Sequence, residues 1–163
     1  MAGELRTKVE NLLRQDKEKQ WVWQNLKSTE DREQLLFLLN DLPTKKKRQS
    51  FLLLNLALAG ILLVMTFLKV FNAIAIGTIN IYFFLALVVP IVNIYVLKKI
   101  LRFRRTGYLY LFVLSGLALF QPENHRFLEV TLLGIMLSLS AFLYLRMFPK
   151  KEIIKPTEKA ANG

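Results

Sequence analysis

The densest group of side chains able to do chemistry is Glu123, His125, Arg126 and Glu129. On a helix His125 and Glu129 stand one turn apart, and Arg126 reaches Glu129. Such a set suggests a proton relay or part of a metal site. A closed metal site needs about four ligands and an open catalytic one about three. One histidine and two carboxylates fall short unless a second copy contributes, so the reading is a polar turn with an Arg126–Glu129 ion pair. The chain has no cysteine, which excludes disulfides, thiolate metal sites and cysteine nucleophiles. It carries no glycine-rich phosphate loop, nucleophile elbow or H-E-x-x-H helix. Ser115, Ser138 and Ser140 have no base near them in sequence. No catalytic residue, metal or cofactor is assigned on these grounds.

The elements that would position such groups are apolar. Four runs, at about 51–71, 78–97, 106–121 and 127–148, have the length and composition of membrane spans, and the third is the shortest. The basic residues are sorted with respect to them. Of 23 Lys and Arg residues, all but Lys69 and Arg126 fall on one side if the N-terminus is taken as inside. Lys/Arg asymmetry fixes orientation during insertion, which puts both termini in the cytoplasm, in the topology of a bacterial inner-membrane protein. The expected fold is an all-α integral membrane protein, a four-transmembrane-helix bundle over 45–148. A cytoplasmic N-terminal amphipathic hairpin occupies 1–44, and a disordered tail occupies 149–163.

The net charge of +11 would suit nucleic acid, but its distribution does not. Residues 1–43 are close to neutral, so long-range attraction to a polyanion is weak. The excess lies beside the spans, in Lys45, Lys46, Lys47 and Arg48; in Lys98, Lys99, Arg102, Arg104 and Arg105; and in Arg146, Lys150 and Lys151. These clusters read as topology determinants and as contacts to anionic headgroups, not to nucleic acid. Lys69, near the outer end of the first span, can snorkel to water. No acidic residue falls at mid-span, which argues against a stand-alone pump.

Helix packing is read from small and polar residues at helical steps. The stripes are Asn55, Ala59, Leu62, Thr66 and Lys69 in the first span; Phe83, Ala86, Pro90, Asn93 and Leu97 in the second; and Thr131, Gly134, Ser138 and Ala141 in the fourth. This reading places Gly134 at a helix contact and Leu133 toward lipid. Asn55, Asn80 and Asn93 serve interhelical hydrogen bonds, and Pro90 kinks its span.

In the N-terminal region, Leu5, Val9, Leu12 and Leu13 form one apolar face and Trp21, Val22, Trp23 and Leu26 resume it, the helix either continuing through the polar Arg14–Gln20 stretch or breaking there. Ser28 looks like the cap of a second helix bearing Leu35, Leu36, Leu38, Leu39 and Leu42, which Pro43 ends. Some forty residues rarely close a core alone, so this pair should need a partner surface. The leading function is therefore a non-enzymatic membrane subunit that scaffolds or anchors a larger complex through Leu5, Val9, Leu12, Trp21, Trp23, Leu35, Leu39 and Leu42. The partner is a protein or a second copy, alongside the anionic bilayer. A channel or transport component comes next, which a mid-membrane cavity lined by Asn55, Thr66, Asn93 and Ser138 would favour. A membrane-embedded enzyme comes third.

The topology is directly testable, because any introduced cysteine is unique. Asn124→Cys should react with an impermeant thiol reagent from outside intact cells, whereas Thr44→Cys and Thr106→Cys should react only after lysis. Protection of Asn124→Cys from outside would mean that the third run fails to cross.

Overall fold

In a computed structural model, the chain is described over residues 2–28, 30–75, 77, 81–121 and 127–154. Every regular element among the described residues is helical. In chain order they are α1 (Ala2–Arg14), α2 (Lys19–Leu26), α3 (Arg32–Asp41), α4 (Lys45–Ser50), α5 (Leu52–Ile74), α6 (Ile81–Leu101), α7 (Arg105–Leu119) and α8 (Phe127–Met147), followed by a 3-10 turn at Lys150–Glu152. Three of them, α5, α6 and α8, are long and apolar enough to cross a membrane, and α7 is a shorter apolar helix. The chain divides into two compact units, Met1–Ser50 with Met147–Gly163, and Phe51–Arg146.

In the first unit the polar stretch after Leu13 breaks the helix. Asp16 adopts a left-handed conformation (φ 63°). Its N–H donates to the Leu13 carbonyl and that of Lys17 to the Leu12 carbonyl, so the exposed carbonyls ending α1 are satisfied by a Schellman-type turn. Asp tolerates this conformation better than most residues because its short side chain bonds locally. The third helix is capped by Asp31, three residues beyond Ser28: its carboxylate accepts from the backbone N–H groups of Glu33 and Gln34. Aspartate suits that place on both hydrogen-bonding and helix-dipole grounds.

The resulting three-helix arrangement replaces the expected hairpin and changes its energetics. Leu5, Val9, Leu13, Val22, Leu26, Leu35, Leu39 and Leu42 form one buried cluster, with Leu12, Trp23, Leu38 and Ile154 packed on it. The apolar face that seemed to need a partner is closed within the chain. Part of the closure comes from the tail. Asn40 binds the backbone of Ile154 with both ends of its amide, accepting from the N–H at 2.9 Å and donating to the carbonyl at 3.0 Å. Lys47 pairs with Glu152. Residues 150–154 are therefore ordered against this unit, where composition alone suggested disorder; residues 155–163 lie outside the described residues.

In the second unit α5 packs on α6 and α6 on α7. The buried face of α5 includes Asn55, Ala59, Leu62 and Thr66. The basic linker expected at 98–105 is mostly helix, since α6 runs to Leu101 and α7 starts at Arg105. The turn between them is a second Schellman-type end. Phe103 N–H donates to the Ile100 carbonyl and Arg104 N–H to that of Lys99, with Phe103 left-handed (φ 55°). That conformation costs a non-glycine residue about 1–2 kcal/mol. The ring of Phe103 is buried, and burying a Phe side chain contributes about 1.5–3 kcal/mol, enough to offset it.

The fourth apolar helix buries a face that the small-residue stripe does not identify. Its buried residues are Glu129, Leu133, Met136, Ser140, Leu143 and Met147, at alternating steps of four and three. Thr131 and Ser138 are exposed, and Gly134 and Ala141 only half-buried. An added Cβ at Gly134 would meet nothing within 4 Å. Small residues matter where backbones approach closely, and α8 packs through long side chains. The close approach is at Gly107 in α7, where an added Cβ would lie 2.8 Å from Lys99 Cβ and 3.1 Å from the Ile100 nitrogen. Gly107→Ala should therefore cost about 1–3 kcal/mol by overpacking. Gly134→Ala should be neutral or stabilising by up to about 1 kcal/mol, since Ala is the better helix former. Thermal unfolding in detergent should separate them; equal loss in both would contradict this assignment of the contact.

Candidate functional site

Polar side chains of the second unit gather at three points. The first joins three helices. Asn55 of α5 donates through Nδ2 to the Ile100 carbonyl at the end of α6 (3.1 Å), and its Oδ1 accepts from the Tyr108 hydroxyl of α7 (2.5 Å). Asn55, Ile100 and Tyr108 are all fully buried. The last carbonyls of any helix lack intrahelical donors, so the Asn55 amide supplies part of what the end of α6 needs. The bonds given for this point all tie the helices to one another.

The second point lies near the opposite end of α5 and joins it to α8. Lys69 Nζ of α5 lies 3.0 Å from Glu129 Oε2 of α8, and the Glu129 side chain is only 6% exposed. Both residues fall in apolar segments, where a lone charge is expensive and a pair is tolerated. Lys69, expected to reach toward water, instead pairs with Glu129; the expected Arg126–Glu129 pair lies outside the described residues, as do Glu123 and His125. The third point is aromatic and basic. Lys99 Nζ stands over the rings of Tyr95 and Tyr110, at 4.6 and 4.5 Å from their centroids. Arg105 donates to the Tyr144 hydroxyl through Nε and Nη2. Arg146 lies over Phe142. These contacts hold the cations at the helix ends, with Lys98 and Arg102 exposed and Arg104 half-buried.

Between the first two points the four helices border a cavity of about 900 Å³ that is open on one side, where Tyr82, Leu85, Val88 and Leu117 of its lining are exposed. Its walls are mostly Leu, Val, Ala and Met, with Lys69 and Glu129 at one end and Asn93 and Ser115 deeper. Ser115 is 1% exposed and its hydroxyl has no hydrogen-bond partner. Toward the α6–α7 turn the space ends in packed side chains: Leu58, Leu62, Val96, Ile100 and Tyr108 are all at most 1% exposed. Of the residues expected to line a polar path, Asn93 borders the cavity while Asn55, Thr66 and Ser138 do not. Thr66 instead donates to its own helix at the Leu62 carbonyl. Ala86 also borders the cavity, and Pro90 is buried within α6. Asn80 lies outside the described residues.

In the first unit, Leu5, Val9, Leu35, Leu39 and Leu42 are buried in the unit's own core, and Leu12 and Trp23 are partly buried against it. Trp21 (43% exposed) and Phe37 (58%) remain outside, Trp21 under the Lys17 ammonium. Lys45 and Lys46 are exposed on α4 and Lys47 and Arg48 half-buried, while Lys150 and Lys151 are exposed on the 3-10 turn. Among the described residues no cluster of His, Cys, Asp or Glu could hold a metal ion. Comparison with protein-family models, with curated proteins and with solved structures finds no match to this chain.

The Lys69–Glu129 pair generates a clear expectation. Lys69→Met alone leaves a buried carboxylate without this partner and should cost on the order of 3 kcal/mol. Lys69→Met combined with Glu129→Leu removes both charges and should recover most of that loss. Unfolding in detergent measures both. A double variant as unstable as the single one would mean that the pair is not the reason for the cost.

Proposed function

We propose that the chain is a multi-pass integral membrane protein that works by binding, as a small non-enzymatic subunit that scaffolds or anchors a larger membrane assembly. In this reading α5, α6, α7 and α8 cross the bilayer, and both termini lie with the basic clusters on the cytoplasmic side of a bacterial inner membrane. Apolar helices with so much outward Leu, Val, Ile and Phe need an apolar solvent. Helix α6 makes the case most strongly, since only 11% of its most apolar window is buried within the chain. The 15 residues of α7 span about 22 Å. That is short of the roughly 30 Å of hydrocarbon, so local thinning of the bilayer accompanies it.

The observation that carries the assembly role is that the N-terminal unit closes its own core and still leaves Trp21 and Phe37 exposed. A unit that needs no partner for folding, yet presents two large aromatics, is suited to docking. Aromatic anchors dominate the energetics of protein interfaces. The interaction surface is thus moved from the buried leucines to these two residues. A transport-component reading draws on the cavity, whose closed end supports binding more than conduction.

In mild detergent the full chain should run as a complex heavier than its own 18.9 kDa. Trp21→Ala with Phe37→Ala should dissociate that complex while membrane insertion is unchanged. Trp21 and Trp23 are the only tryptophans, so their emission reports the N-terminal unit alone. Emission that shifts to the blue only when empty anionic vesicles replace detergent would assign the aromatics to the bilayer. A lone chain in mild detergent, with unchanged emission, would contradict the assembly role.

A further inference from the structure

We propose that the cavity among α5, α6, α7 and α8 is a binding site for an uncharged, membrane-dissolved amphiphile carrying hydroxyl and ester or ketone oxygens. The inference rests on the membrane placement of these helices and not on the assembly role. Four features of the cavity define the ligand.

The walls are mostly apolar, and along α6 they run from Tyr82 to Asn93. The eleven helical steps between them rise about 16 Å. The space is therefore elongated along the helices, as a chain-like molecule requires. At about 900 Å³ it is in the range of sites for small molecules, and far larger than a single side chain would need.

The polar groups set the chemistry. Ser115 is buried and its hydroxyl unpartnered, which costs free energy in the empty state and is relieved by a ligand oxygen. Asn93 borders the same space with an amide able to donate and accept. Donors and acceptors on the ligand thus both have a use.

Net charge on the ligand is disfavoured. Among the described residues, the charged ones bordering the cavity, Lys69 and Glu129, already face each other at 3.0 Å. An anionic ligand would meet Glu129, and a cationic one would meet Lys69. In a medium where unpaired charge is costly, either would have to break the pair. A neutral molecule leaves it intact.

The test uses the full chain in lipid nanodiscs with radiolabelled 1-oleoylglycerol as the probe and oleate as the charged comparator. Saturable binding of one 1-oleoylglycerol per chain is expected, with oleate binding more weakly. Ser115→Ala should weaken binding by about three- to tenfold, the worth of one neutral hydrogen bond. The same variant without ligand should be at least as stable to heat as the parent, because it removes an unsatisfied group. Ala118→Phe and, independently, Ala86→Phe should abolish binding by filling the space. Circular dichroism selects folded variants, and Ser115→Ala adds no bulk that could prevent folding. Non-saturable uptake, oleate binding as tight as the glyceride, or unchanged affinity in Ser115→Ala would overturn the proposal. Flotation of the same protein with vesicles reads membrane placement separately, so failure of the site and failure of that placement are distinguishable.

Discussion

Asn55 ties three helices together at one buried point. One amide satisfies the end of α6 through the Ile100 carbonyl and accepts the hydroxyl of Tyr108 on α7. Apolar helices in an apolar solvent gain little from burial against one another, because lipid tails solvate their side chains as well. What distinguishes one arrangement from another is polar satisfaction and close backbone approach. Both occur at this end of the second unit: the Asn55 bonds, and the contact of Gly107 with the backbone of α6. The left-handed Phe103 between them lets α6 turn into α7 within three residues.

The other end is organised by charge. Lys69 and Glu129 connect α5 to α8, whose buried face consists of long side chains and not small ones. A helix held at a distance by Leu133 and Met136 leaves room beside it, and the cavity occupies that room. The packed Asn55 end and the open Lys69 end are thus two consequences of where backbones come close. The N-terminal unit follows a different logic. Its helices are short and amphipathic, its apolar residues close on one another, and Ile154 from beyond the last apolar helix packs on them.

Several of these features were legible from residue types. The apolar helices follow from composition, and the α5 face at Asn55, Ala59, Leu62 and Thr66 from the rarity of polar residues in such a segment. The α8 face was not, because the small-residue rule presupposes close backbones and α8 has none. The usable signal was Glu129 itself. An acid and a base, each alone in an apolar segment and near the same end, have reason to meet. The leucines of the N-terminal region were found, but their partner was misjudged. The helix break at Asp16 makes three short helices from two, and Ile153 and Ile154 stand out as apolar residues in an otherwise charged tail. Gly107 was hidden because its role depends on Lys99, across a turn whose geometry is set by Phe103.

The account holds that Asn55 and Tyr108 act as one unit. A double-mutant cycle with Asn55→Leu and Tyr108→Phe, read by reversible unfolding in detergent, measures this directly. Tyr108→Phe alone should cost about 1–3 kcal/mol because it leaves the Asn55 oxygen buried without its donor. In the Asn55→Leu background the same change should cost much less, which gives a coupling energy of about 1 kcal/mol or more. Costs that simply add would contradict the account, since the two residues would then stabilise the helices independently.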